Sequence, residues 1–181
     1  MNRNVLRGTV VVLLSAATAA TAAAQGDPMF KLGYTDIGPV IGLGGIGDAG
    51  LSFGARFERA IKSLPDMGGG TLGIEASVDI WTYNSPFGTS AYDFRWMAFG
   101  GTANYHFAVK SNPKVDPFLG AGLGFNTVST DAGGDYSSGI YFIGRAGIRY
   151  FLSSRLALYA DAGAGASAIN GGVTFKIGGS E

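Results

Sequence analysis

The sequence predicts an all-β protein, a closed eight-stranded antiparallel up-and-down transmembrane β-barrel. Three observations predict it. Apolar and polar residues alternate with period two along successive segments, the pattern of strands whose two faces meet unlike surroundings. Pieces rich in Gly, Pro, Asn, Asp and Ser separate those segments, as turns do. Charges within the segments share a face with small residues, opposite Leu, Ile and Phe.

The chain opens MNRNVLRGTVVVLLSAATAATAAAQGDP. Arg3 and Arg7 precede an apolar, Ala-rich stretch, and Ala22 to Ala24 offer small residues for cleavage before Gln25. This is the layout of a cleaved signal peptide over residues 1–24. An N-terminal anchor helix is the alternative, but small residues replace bulky ones after Leu14. With no Cys near the cleavage point, a lipid anchor there is not expected. Removing 24 of 181 residues leaves 157, enough for one domain over 25–181.

The first strand is DIGPVIGLG, 36–44, short and Gly-rich. The second, 50–61, sets Leu51, Phe53, Ala55 and Phe57 against Ser52, Gly54, Arg56 and Glu58. In the third, 71–83, Leu72, Ile74, Ala76, Val78 and Ile80 oppose Gly73, Glu75, Ser77, Asp79 and Trp81. The fourth, 93–107, alternates less regularly. The fifth, 117–128, opposes Leu119, Ala121, Leu123 and Phe125 to Phe118, Gly120, Gly122 and Gly124. The sixth, 140–151, carries Ile140, Phe142, Ile148 and Tyr150 on one face and Arg145 and Arg149 on the other. The seventh, 156–168, sets Leu156 and Leu158 against Tyr159 and Asp161, and the eighth, 172–180, sets Val173, Phe175 and Ile177 against Thr174 and Lys176. No second domain or internal sequence repeat is visible.

One competing motif is VIGLGGIGDAG, 40–50. Gly42, Gly44 and Gly47 fit G-x-G-x-x-G, and Asp66 follows 19 residues after Gly47. A dinucleotide site needs a helix after those glycines. LSFGARFERAI follows instead, with period two, and 31 glycines make chance matches common. No cofactor is expected.

Charge placement decides which face is inside. A soluble barrel turns its apolar face inward, whereas a transmembrane barrel inverts this. The polar faces hold Arg56, Glu58, Glu75, Asp79, Arg145, Arg149, Asp161 and Lys176. Four cations and four anions would neutralise one another in a closed lumen, and only 14% of the chain is charged. Trp81, Tyr83, Tyr105, Tyr150 and Phe151 lie near strand ends, where bilayer-interface girdles are found. The inverted arrangement is therefore expected, with the eight charges forming a structural ionic network. A secreted soluble barrel binding an apolar ligand is the alternative.

DIGPVIGLG, PFLGAGLGF, FIGRAGIRYF and LALYADAGAG, in eight alternating strands after a signal peptide, resemble the small outer-membrane β-barrel family. That family includes the OmpA transmembrane domain, the OmpX and Ail-type proteins and the opacity proteins, and the resemblance covers 25–181. It implies a Gram-negative outer-membrane location and periplasmic termini. It also implies short periplasmic turns, extracellular loops after strands 1, 3, 5 and 7, and passage through the barrel-insertion machinery. One departure is the ending KIGGSE after Phe175 and Ile177, where family members typically close on an aromatic residue.

Function divides into four classes. A non-enzymatic envelope or surface-interaction protein acting through its outer loops is expected, as a monomer, with outer-membrane lipid and lipopolysaccharide as partners. An enzyme would need a nucleophile and base, but the one His, His106, falls near the end of strand 4, the periplasmic rim. It reads as an interior or interfacial hydrogen-bonding group. A channel conflicts with eight interior charges plus Trp81 and Tyr159 in a barrel only wide enough for side chains, so a plugged lumen is expected. The soluble binder is the fourth class. Acids in the outer loops (Asp48, Asp93, Asp131, Asp135) read as solvated, and STDAGGDYSSG lacks the closing Glu of a calcium loop. With zero Cys no thiolate metal site exists. After cleavage 11 Lys+Arg (13 less Arg3 and Arg7) face 13 Asp+Glu, so nucleic acid is not an expected partner.

Two registers are predicted from turn chemistry. Asn170-Gly171 would form a two-residue type I′ turn between strands 7 and 8. A three-residue loop, Leu152 to Ser154, would place Arg145 directly opposite Asp161, paired through two parallel hydrogen bonds.

Overall fold

The computed structural model describes residues 26–46, 50–87, 90–130 and 138–179, without the side chains of 83–87, 90–93 and 130. The expected leader, Gly47, Asp48, Asp131, Asp135 and the side chains of Tyr83 and Asp93 lie outside the described residues. Eight strands follow in order: β1 (Thr35–Leu43), β2 (Leu51–Leu64), β3 (Gly70–Phe87), β4 (Ser90–His106), β5 (Val115–Thr130), β6 (Gly139–Phe151), β7 (Leu156–Ala164) and β8 (Ile169–Gly178). Each pairs antiparallel with its sequence neighbour, and β8 returns to β1, closing the barrel. Among the described residues no helix is long and apolar enough to cross a membrane.

The stagger of the ladders can be traced by hand. From Leu72 the pairs lead through Tyr105, Leu119, Ala146, Ala162, Ile169, Leu43 and Leu51. Continuing the β2–β3 register then returns to β3 at Thr82, ten residues beyond the start. Such a shear tilts the strands by roughly 35–45° and leaves an interior filled by side chains.

Alternation decides what faces in. Even residues of β1, β2, β4, β5 and β8 and odd residues of β3, β6 and β7 line the lumen. Leu, Ile and Phe cover the outside: Ile41, Phe53, Ile74, Ile80, Leu123, Phe142, Leu158 and Phe175 are each 40–63% exposed. In water this apolar belt would lie exposed to solvent, far beyond the apolar patches a soluble monomer ordinarily shows.

The glycine motif is not a nucleotide turn. Gly44 and Gly45 adopt positive φ in the β1–β2 connection, which continues into a strand. Asp66 lies in the β2–β3 turn at the opposite rim.

Both turn predictions need correction, while the face parity stands. Asn170 and Gly171 lie within β8, where Asn170 faces Asp161 and Gly171 faces Ala160. The β7–β8 connection is instead Gly165 to Ala168, with the Gly163 amide donating to the Ala168 carbonyl at 2.9 Å. Two contacts hold that loop over the barrel mouth. Ala166 packs with Trp81 and Ala98, and the Ser167 hydroxyl lies 2.7 Å from that of Ser52. Between β6 and β7 the amides of Leu152 and Ser153 both donate to the Leu156 carbonyl, at 2.9 and 3.1 Å. That closes a four-residue turn, so Phe151 pairs with Ala157, and Arg145 faces Gly163 rather than Asp161.

Two girdle assignments fail, at Phe151 and at Trp81, the latter also expected among the side chains that fill the lumen. Tyr150 is exposed and Tyr105 half-buried on the outer face. Trp81 and Phe151 point inward, at 2% and 0% exposure. Trp81 stacks on Trp96 at 5.7 Å near the loop rim, and Phe151 meets Tyr34 edge-on at the rim where β1 begins and β8 ends.

Candidate functional site

The chemistry-bearing side chains gather in the lumen, in two linked groups. The first, nearer the terminal rim, centres on Glu58. Arg149 Nη2 donates to Glu58 Oε2 at 2.5 Å, and Arg149 Nη1 lies 3.0 Å from Asp36 Oδ2. His106 Nε2 is 2.8 Å from Glu58 Oε1, and its Nδ1 is 2.9 Å from both Asp116 oxygens. Ionised carboxylates only accept, so both ring nitrogens must donate and the ring sits there as imidazolium.

The second group lies further in. Arg56 Nη2 donates to Asp79 at 3.0 Å, and Arg56 Nε stands 3.6 Å from Glu75. Arg145 Nη1 reaches Glu75 at 3.5 Å and Asp161 at 3.9 Å. Asn170 Nδ2 donates to Asp161 at 2.8 Å. Asn104 joins the groups, donating to Glu58 at 2.8 Å and Glu75 at 3.4 Å.

Seven of the eight charges singled out in the sequence are therefore buried in the lumen: Arg56, Glu58, Glu75, Asp79, Arg145, Arg149 and Asp161. Lys176 is the exception. It is half-buried at the terminal rim, its Nζ 5.8 Å over the Tyr34 ring. Arg145 and Asp161 share the interior, but as diagonal neighbours. The expected bidentate pair does not form, because the shifted turn sets Gly147 beside Asp161.

Asp36, Asp116, Asn104, Asn170 and Phe30 were not among the column's expected members. Asp36 and Asp116 sit on the even, inward faces of β1 and β5; Asp36 already lay within the expected first strand, and starting the fifth one residue earlier would have included Asp116. Phe30 has no such signal, since it precedes every strand. Its ring enters the barrel and stacks on His106, 3.7 Å between centroids and 19° between planes, with Arg149 Cζ 5.0 Å from the Phe30 ring centroid. Beside it, burial and then the Asp36 charge push the Tyr34 phenol up from its ordinary value, keeping it protonated.

Glycines make this filling feasible. A Cβ on Gly124 would run into the Tyr141 ring, and one on Gly147 into Phe118. Large inward side chains thus lie across neighbouring strands that carry none.

The arrangement can neutralise charge and fix strand register. Among the described residues it offers no nucleophile beside an unengaged base, and His106 is held between two carboxylates. Nor is there a group of three or more His, Cys, Asp or Glu among the described residues able to hold a metal ion.

No protein-family model and no curated protein matches the sequence. Among solved structures the chain is similar to Ail, the attachment invasion locus protein of Yersinia pestis, in complex with the heparin analogue sucrose octasulfate. Identity is 13% over 81% of this chain and 94% of that one, with a TM-score of 0.48. A second Ail structure matches at 13% identity over 86% and 97%, TM-score 0.45. Neisserial surface protein A matches at 22% identity over 84% and 99%, TM-score 0.47. The closed eight-stranded architecture rests on the chain's own strand register.

Proposed function

We propose that this chain is a non-enzymatic outer-membrane β-barrel with a plugged, charge-paired lumen. The observation that carries this reading is the inversion of faces: an apolar belt outside and a buried ionic column inside. In water that belt would drive aggregation, whereas in a bilayer it is the surface lipid requires. Closure of the sheet satisfies every strand edge, the condition for spanning hydrocarbon with strands. Residues 1–24 then act as the export signal, and residues 25–181 insert as one domain with the help of the insertion machinery.

The rim opposite the termini faces outward in this reading. Its loops serve envelope structure or surface interaction, with lipopolysaccharide as neighbour and the barrel as a monomer. The ionic column is structural, and Phe30, Phe118 and Tyr159 fill the space a solute path would need.

Fractionation with a gel shift tests the reading. The chain should sediment with the outer membrane, and after refolding in detergent it should migrate differently before and after boiling. In planar bilayers it should give no conductance steps. Recovery in the soluble fraction without detergent would sink the membrane reading, and steady conductance would sink the plugged lumen.

A further inference from the structure

Outside the lumen, charge is divided unequally between the rims. Among the described residues the terminal rim carries seven Lys and Arg, from Lys31 to Lys176, against Asp27 and Asp66. Part of this charge converges on one feature. A polar crevice of about 620 Å³ opens where the segment before β1 crosses the β6–β7 turn and the end of β8. Lys31, Arg155, Lys176, Tyr34 and Ser154 line it, with Asp27 as its one acid.

The crevice is built by the fold. Phe30, stacked in the lumen, anchors the segment that carries Lys31. The Arg155 amide donates to Ser153 Oγ at 3.2 Å, and the Arg155 carbonyl accepts from the Lys176 amide at 2.9 Å. The backbones that carry Arg155 and Lys176 are thereby joined at the edge of the crevice, which both residues line. The volume falls in the range of small-molecule sites, about 300–1,000 Å³. One wall is apolar: Ile177, 60% exposed, lines the crevice, and Leu152, 47% exposed, belongs to the same turn as Arg155. Both open toward the lipid-facing belt.

We propose that this crevice binds the phosphate headgroup of an anionic glycerophospholipid of the periplasmic leaflet. Lys31, Arg155 and Lys176 take the phosphate, and the acyl chains lie along Ile177 and Leu152. A free phosphate would use the cations but not the apolar wall, so the amphiphile fits both halves. The inference rests on the membrane reading and its orientation.

The test is native mass spectrometry of the full chain refolded in neutral detergent. It is titrated separately with phosphatidylglycerol, phosphatidylcholine and glycerol 3-phosphate. Phosphatidylglycerol should give a discrete one-to-one adduct, with weaker adducts from the other two. The triple variant Lys31→Gln, Arg155→Gln, Lys176→Gln should bind phosphatidylglycerol about tenfold or more weakly, in line with the pull of each cation near a lipid surface. Lys62→Gln, Lys110→Gln, Lys114→Gln removes equal charge from the same rim outside the crevice and should retain the adduct. If the triple variant fails to refold, Lys31→Gln with Arg155→Gln alone should show the weakening. Equal loss in both triple variants would replace the crevice by diffuse rim charge. Adducts as strong with glycerol 3-phosphate or phosphatidylcholine would overturn the anionic lipid as occupant. A heat-modifiable barrel without adducts refutes this site alone, whereas a chain soluble without detergent refutes the parent reading.

Discussion

Glu58→Ala is the most informative single change to the lumen. Glu58 is 2% exposed and accepts from Arg149, His106 and Asn104. Its removal leaves Arg149 with Asp36 and His106 with Asp116, each cation losing one of two carboxylates in a site water does not reach. Breaking a buried ion pair from one side costs about 3–5 kcal/mol. Glu58→Gln should recover little of this, because its amide would turn two donors toward Arg149 or His106. Urea unfolding of the refolded barrel, followed by tryptophan fluorescence, measures the loss. Both tryptophans, Trp81 and Trp96, stack together on the lumen side and report loss of the interior. Lys62→Ala, exposed at the rim, serves as the comparison and should leave the midpoint unchanged. A Glu58→Ala midpoint equal to that of Lys62→Ala would refute the reasoning that the column holds the barrel together.

The same assay checks three further expectations. Asp161→Ala should destabilise more than Asp131→Ala, because Asp161 is buried against Asn170 and near Arg145; a buried pair loses about 3–5 kcal/mol, and equal midpoints would contradict a structural role for Asp161. Val78→Arg, on the outer face midway along β3, should cost about 2–4 kcal/mol in bilayers at midplane depth, and a variant as stable as the parent would argue against lipid contact there. Gly124→Ala must displace the Tyr141 ring, for about 1–3 kcal/mol of overpacking, with a neutral result showing that Tyr141 can move aside.

Which face each residue occupies was readable from the chain, because side-chain direction in a strand depends only on parity. Arg56, Glu75 and Arg145 could be placed inside by counting in twos. Register could not be read the same way. Asn170-Gly171 has the composition of a tight turn, yet Asn170 serves inside the lumen as a donor to Asp161. Its local preference gave way to a buried carboxylate that sequence spacing does not announce. Leu152 to Ser154 failed by one residue for a similar reason, since turn length depends on which amides reach the Leu156 carbonyl. Trp81 resembled a girdle residue because it lies near a strand end, but its odd number put it inside. Phe30 was illegible altogether, being placed by a tertiary stack with no periodic pattern behind it.

The closure between β1 and β8 has a kinetic consequence. Every other ladder joins strands that are neighbours along the chain, so a turn tethers each pair and a broken pair can re-form locally. The β1–β8 seam joins Thr35 to Gly178 across the length of the barrel sequence, and its paired run skips Gly38 and Pro39, the latter lacking an amide hydrogen. Contacts so far apart in sequence are slow to form, since chain entropy is spent before they are made. The seam should therefore close last during assembly. It should also open first, so that amide exchange in the folded protein begins along β1 and β8 while the ladder between β3 and β4 stays protected.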